Sequence, residues 1–226
     1  MLNERLSEVE SFVRNHLSDR RAAHTFRVAD MAERILSFAG MAFEDEIVEA
    51  AKEVGTPSFR EQLMAASLLH DVTKEESFEK QLQVLENFAI MSVTDAKQYA
   101  PVLHGKTATR LIAERFPYYD LPRVRDAVSY HTTGCADMAP MTAILFLADY
   151  IEDGRQYDRC IQARTYFFNK KDIKSKAEMQ KHIDSTLLLV LEQTVGYLTN
   201  KGIPIHGDTL SAYAFYREKL GCSSKE

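Results

Sequence analysis

The sequence predicts an all-α helical bundle, and three observations carry that prediction. Among 226 residues there are only 9 glycines and 6 prolines, so long stretches hold nothing that breaks a helix. Through those stretches apolar side chains recur three and four residues apart, the period of one helix face. A length of 226 residues with 45% apolar and 27% charged residues suits one domain, residues 1–226, built round a full hydrophobic core.

The elements follow in order. Leu2, Leu6, Val9 and Val13 share a face and predict a first helix from Leu2 to His16. Ser18-Asp19 offers an N-cap and Gly40 a stop for a second helix to about Ala39. On it His24, Val28, Met31, Ile35 and Phe38 line one face, so His24 points inward. Alone, such a histidine is more often a hydrogen-bonded core residue than a ligand. Glu44 to Val54 reads as a helix ended by Gly55-Thr56-Pro57, and another from Phe59 carries His70-Asp71 at its end. Phe78, Leu82, Leu85 and Phe88 predict an amphipathic helix.

Thr94 and Asp95 open the next segment, and Pro101 makes a turn before His104. Lys106 to Phe116 is helical by pattern, and Pro117 ends it. Pro122 starts a helix that turns Val124 and Val128 inward and delivers His131 at its end. Pro140 is a first-turn residue for Met141 to Ile151, which is apolar nearly all round and therefore buried. A long helix from about Ile173 to Thr199 and a last one capped by Asp208 and running to Leu220 pack on that core. The aromatic groups Tyr118-Tyr119 and Tyr166-Phe167-Phe168 read as packing, and Lys170 to Lys181 as a solvated helix face.

A net charge of −5 gives no general attraction for nucleic acid or an anionic membrane. Three cysteines, Cys135, Cys160 and Cys222, are an odd number without paired spacing and suit a reducing cytoplasm. The N-terminus lacks the apolar core of a signal peptide, and the most apolar run, Leu187 to Leu191, is broken by Glu192 and Gln193. The expectation is a cytoplasmic protein.

Chemistry is concentrated at Leu68 to Lys74, Leu-Leu-His-Asp-Val-Thr-Lys, where an imidazole and a carboxylate adjoin. That mixed set suits zinc, iron or manganese. Asp149 sits inside a nearly continuous apolar helix, where a carboxylate is costly unless a metal or cation pairs with it. His24, His70, His104 and His131 stand in helix interiors or at helix ends. Spacing alone does not show that these six meet, but a helical bundle can gather ligands from different helices. Six donors suit two metals sharing a bridging carboxylate better than one tetrahedral zinc.

In that order, with Arg21-Ala-Ala-His24, Leu-Leu-His70-Asp71-Val-Thr-Lys74, His104-Gly105, His131-Thr132-Thr133-Gly134, Ala-Asp149-Tyr-Ile-Glu-Asp-Gly-Arg155 and Ile-His206-Gly-Asp-Thr209, the chain resembles a known family. It is similar to the HD-domain metal-dependent phosphohydrolases, and within them to the bacterial symmetrical bis(5′-nucleosyl)-tetraphosphatases of the YqeK type. The resemblance spans about Arg20 to Tyr213. It implies an HD-domain bundle with the metal site in its core. His24, His70, Asp71 and Asp149 would hold one metal, and Asp71 would bridge to a second held by His104 and His131. The metal it implies is iron, one or two ions, and the same ligands accept manganese or another divalent ion in vitro.

The implied reaction is attack by metal-bound hydroxide on an inner phosphate of diadenosine tetraphosphate, giving two ADP. Asp71 and Lys74 would be catalytic, Lys74 as a phosphate cation. Arg21, Lys74 and Arg155 would contact phosphate, alongside Asp71, His104, His131, Thr132 and Asp149. His206, Gly207, Asp208 and Thr209 would meet the nucleotide. By their positions alone Lys74 has a lesser reading as a helix-end charge, while Gly134 is equally a helix stop and His206 to Thr209 equally a cap.

The implied partner is a small nucleotide, a dinucleoside polyphosphate with ADP or GDP as a product-like ligand, and a homodimer is compatible. Alternatives are an HD phosphohydrolase acting on a dNTP, guanosine tetraphosphate or a cyclic dinucleotide, and a non-catalytic nucleotide-binding module with a structural metal.

Overall fold

A computed structural model describes residues 4–87, 97–170 and 172–222. The expected roles of Leu2, Phe88, Thr94, Asp95 and Lys171 fall outside them. Among the described residues the regular structure is helical throughout, with no strand.

Helix α1 (Glu4–His16) buries Leu6, Val9 and Val13, the face its spacing predicts. Ser18 caps α2 (Asp19–Ala39), its hydroxyl oxygen accepting from the Arg21 N–H at 3.3 Å. Gly40 stands at the C-cap of α2, where the sequence puts its stop. Its φ of −53° is ordinary right-handed backbone, and a 3-10 turn over Gly40–Phe43 leads straight into α3 (Glu44–Lys52). Burial of Ala39, Ala42 and Phe43 holds that junction in the core. Ser58 caps α4 (Phe59–Leu69), and α5 covers Phe78–Asn87.

Helix α6 begins at His104 itself (His104–Arg115), two residues before the expected start. Proline at the first turn opens both α7 (Pro122–Tyr130) and α8 (Pro140–Ile151), where its missing N–H costs nothing. Helix α9 (Asp158–Phe168) was not expected from the sequence: only Cys160, Ala163 and Phe167 turn inward. Helix α10 (Lys176–Asn200) is capped by Ser175, so the basic stretch from Lys170 is helical only from Lys176 on. His206, not Asp208, caps α11 (Gly207–Lys219), its Nδ1 accepting from the Asp208 N–H at 3.2 Å.

Helix α8 is the axis of the bundle. Met141, Ala143, Ile144, Leu145, Phe146, Leu147, Ala148 and Ile151 are all buried, and each large apolar side chain contributes about 1.5–3 kcal/mol. Helices α2, α4 and α7 pack round it and on one another, and α6 lies against α7. Helices α10 and α11 form an outer pair that joins the same core through Ile183, Leu187, Ala212 and Tyr216. Buried Asp184 on α10 accepts from Lys219 of α11 at 3.0 Å, and the Tyr216 hydroxyl accepts from the Met138 N–H at 3.0 Å. Phe167 lies wholly in the core, and buried Tyr119 donates to Glu61 at 3.0 Å, so both aromatic groups serve packing. No helix among the described residues is long and apolar enough to cross a membrane.

Candidate metal centre

The His70-Asp71 pair is placed by the burial of α4. Leu63, Ala65, Ala66, Leu68 and Leu69 lock the helix into the core, and the chain turns at His70 so that both side chains face inward. The buried Thr73 hydroxyl donates to the His104 carbonyl at 2.8 Å and fastens this turn to the start of α6. His24 comes from the inward face of α2, His131 from the C-terminal end of α7, and Asp149 from the last turn of α8.

Gly105 lets α6 and α7 approach. A Cβ there would lie 2.8 Å from the Val128 carbonyl oxygen, 3.1 Å from that of Ser129 and 3.3 Å from His131 Nδ1. Only glycine allows the close contact that brings His104 Nε2 within 3.0 Å of His131 Nε2.

The six residues converge. Asp71 stands at the middle, with its two oxygens serving different sides. Oδ2 lies 3.6 Å from both His24 Nε2 and His70 Nε2, while Oδ1 lies 3.0 Å from His104 Nε2 and 3.5 Å from His131 Nε2. Asp149 Oδ1 completes the first side, 3.0 Å from His24 Nε2 and 4.0 Å from His70 Nε2. Donor atoms of His24, His70 and Asp71 fall within 4.8 Å of one another, as do those of Asp71, His104 and His131.

Three rings are oriented from behind. His70 Nδ1 donates to the Ser67 carbonyl at 2.6 Å and His131 Nδ1 to that of Val128 at 2.7 Å. His24 Nδ1 faces Glu152 Oε1 at 3.2 Å. Each contact turns Nε2 toward the centre, as ligand histidines require. The Nε2 atom of His70 is buried without a hydrogen-bond partner among the described residues. Buried polar atoms are rarely left so, and this donor set fits a divalent cation.

Charge at the centre follows burial and pairing. Burial drives His70 down to about 3 and His104 to about 4. Burial also disfavours a charged His24, but Asp149, Glu152 and Asp71 outweigh it and raise the ring to about 9. For Asp71 and Asp149 burial works against ionisation. The histidines, and Arg155 beside Asp149, overcome it and hold both carboxyls well below their usual range. Asp149 is less sealed than its apolar helix suggests: its side chain is 16% exposed, at the open edge of the site.

The expected phosphate cations border this edge. Arg21 pairs with Asp71 Oδ2 at 2.6 Å and Arg155 with Asp149 Oδ1 at 2.8 Å. Half-buried Lys74 lies 3.1 Å from His104 Nδ1, and burial lowers its pKa. Thr132 Oγ1 lies 2.9 Å from His131 Nε2 and 3.4 Å from His104 Nε2. Gly134 has a φ of +67°, and its N–H bonds to the Tyr130 carbonyl at 2.8 Å, the geometry of a helix stop. Among the described residues, His206, Gly207, Asp208 and Thr209 form no hydrogen bond or ion pair with the six. They stand nearby at the start of α11, where the His206 ring meets Tyr99 at 4.8 Å between centroids.

Four residues here escaped the sequence reading. Glu152 backs His24, and Arg27 donates to it at 2.7 Å. Arg164 binds carbonyls of the loop after α8, and Glu75 accepts from both the Ser18 N–H and its hydroxyl, at 2.8 and 2.6 Å. The signal for Glu152 was its place three residues after Asp149 in a chain turn leaving a buried helix.

The model of the HD domain matches residues 21–154, an interval that contains all six converging residues. The chain belongs to the HD domain family. It is therefore a metal-dependent phosphohydrolase of that family. Proteins named symmetrical bis(5′-nucleosyl)-tetraphosphatase share 25% identity in Staphylococcus aureus, over 93% of this chain and 94% of that one, and 28% in Halalkalibacterium halodurans, over 89% and 91%. The same fold occurs in a crystal structure from Clostridium acetobutylicum, described as a predicted HD superfamily hydrolase involved in NAD metabolism. It has a TM-score of 0.72 at 23% identity and covers 94% of this chain and 97% of that one.

Proposed function

We propose that the chain hydrolyses dinucleoside tetraphosphates symmetrically, taking diadenosine tetraphosphate to two ADP. The observation that carries this reading is Asp71, whose two oxygens face separate groups of histidines as a bridging ligand between two cations would. The names of the relatives, over nearly their whole lengths, support the substrate. The core that runs from Leu6 to Tyr216 supports reading residues 1–226 as one such unit.

His24, His70, Asp71 and Asp149 would hold one cation, and Asp71, His104 and His131 the other. Bound there, iron in this reading or manganese in vitro would supply a nucleophile at neutral pH and electrophilic stabilisation of the phosphate oxygens. The protein's own groups then position the polyphosphate. Arg155 and Arg21 present planar forks suited to phosphate oxygens, and Lys74 a point charge beside His104. The Thr132 hydroxyl, next to both histidines of the second group, can donate to a phosphate oxygen. His206 to Thr209 would meet the nucleoside at the rim.

Iron- and manganese-loaded protein should convert diadenosine tetraphosphate to ADP alone, as resolved by anion-exchange chromatography. ATP plus AMP, or intact substrate beside cleavage of a dNTP, guanosine tetraphosphate or a cyclic dinucleotide, would refute the reading.

A further inference from the structure

We infer that Glu152 is a positioning residue that holds His24 with Nε2 aimed at the centre and makes the His24 side the tighter of two cation positions. This rests on the metal centre proposed above. Glu152 is 2% exposed, yet no cluster of donor atoms at the centre includes it. A buried carboxylate so placed needs partners, and this one has them on both oxygens. Oε1 accepts from His24 Nδ1 at 3.2 Å, while Oε2 accepts from Arg27 Nε at 2.7 Å and from the Gly154 N–H.

Its backbone is held as firmly. Arg164, reaching back from α9, donates to the carbonyls of Ile151 at 2.6 Å, Glu152 and Arg155 at 2.9 Å. Gly154 is glycine because a Cβ there would lie 2.4 Å from Arg27 Nε, in the space through which that arginine reaches Glu152. Carboxylate, arginine and glycine form one cradle whose remaining contact is the ring of His24.

An acceptor on Nδ1 requires a proton at that nitrogen, which leaves the Nε2 lone pair for the centre and raises its basicity. The other rings have weaker support. His70 and His131 rest on neutral carbonyls, and both nitrogens of His104 lie 3.1 to 3.2 Å from the Lys74 ammonium. The His24 side adds Asp149 to the shared Asp71, whereas the His104 side has a lysine in place of a second carboxylate. Cation affinity should differ between the sides, and Glu152 is part of the difference.

The test is a Zn2+ titration of the metal-free full-length protein under chelator competition. Imidazole 15N spectra would show which rings each equivalent reaches. The first equivalent should shift His24 and His70 before His104 and His131. Glu152→Ala should weaken that first step about 10- to 100-fold and leave the second unchanged. Glu152→Gln, which keeps an acceptor for Nδ1–H, should lose less.

A low-field Nδ1–H signal from His24 should appear in the Zn2+-loaded wild type, which keeps the test decisive if Glu152→Ala fails to fold. Its absence, a first equivalent at the His104 side, or a Glu152→Ala protein with a lower Tm but unchanged relative affinities would overturn the inference. Zn2+ binding at none of the rings would overturn the proposed metal centre as well. Zn2+ binding as expected without cleavage of diadenosine tetraphosphate would defeat the substrate reading and leave this inference standing.

Discussion

Alanine at position 105 should cost the protein one of the two proposed cation positions. The new Cβ would sit 2.8 Å from the Val128 carbonyl oxygen and 3.1 Å from that of Ser129, both backbone atoms in the last turn of α7. Ordinary contact begins near 3.4 Å, so α6 and α7 must part by about 0.6 Å. Metal–ligand distances tolerate only about 0.2 Å, so the shift exceeds the tolerance of the His104–His131 pair roughly threefold. His24 and Asp149 stand on α2 and α8 and His70 at the end of α4, and none would be displaced.

Overpacking of this kind costs about 1–3 kcal/mol, which in a chain of this size lowers Tm by about 2–12 °C. Metal content per chain by mass spectrometry after reconstitution, read beside a calorimetric melt, gives both numbers. The expected result is a loss of about one equivalent with a modest fall in Tm. A Gly105→Ala protein with full metal content and an unshifted Tm would refute the reasoning, and so would equal loss from both positions.

Asp71→Ala removes the residue common to both sides, and turnover of diadenosine tetraphosphate should fall by more than about 100-fold with loss of bound metal, since even supporting residues cost 10- to 100-fold. A variant that keeps turnover would exclude the bridging role. Lys74→Ala and Arg155→Ala should each lower kcat/KM by roughly 10- to 150-fold, the worth of a charge-assisted hydrogen bond at about 1.5–3 kcal/mol, while metal content stays near wild type. Unchanged kinetics in both would remove them from phosphate binding.

His182 supplies a stability test away from the centre. Burial holds its pKa below the ordinary 6.5, partly opposed by its hydrogen bond to the Phe167 carbonyl at 2.9 Å. Below about pH 6.5 the unfolded chain takes up a proton that the fold resists, so this residue's contribution falls as pH drops and levels off below the folded pKa. Urea melts at pH 7.5 and 5.5 should show wild type losing more stability than His182→Gln, and parallel losses would contradict the assignment.

The bundle was legible because most of its helices bury a face that repeats at 3.6 residues. Helix α9 was not: buried Cys160, Ala163 and Phe167 share the segment with exposed Ile161 and Tyr166, so no clean apolar face stands out. Gly40 marked the end of α2, though the chain runs on from it in a right-handed 3-10 turn. The six converging residues stood out as four imidazoles and two carboxylates in apolar surroundings, while their meeting was implied only by the family resemblance. Their supports did not stand out. Glu152 lies 128 residues from His24, and nothing in a lone glutamate after a helix names the ring it will face. Gly105 likewise looked like any glycine in a helical stretch until the carbonyls of α7 were placed beside it.

Glu75 grips Ser18 by both its N–H and its hydroxyl, one residue past Lys74 and three before Arg21. The clasp ties the entry of α2 to the turn that carries Asp71 and Lys74, so the two cations are spaced by backbone and not by side-chain reach. A single residue inserted between Arg21 and His24 would turn Arg21 by about 100° about the helix axis. It would swing Arg21 off Asp71 and open the clasp, with every ring and carboxylate of the centre still in place. The charge pattern at the mouth is thus stored as helical phase, much as a screw stores position in its thread.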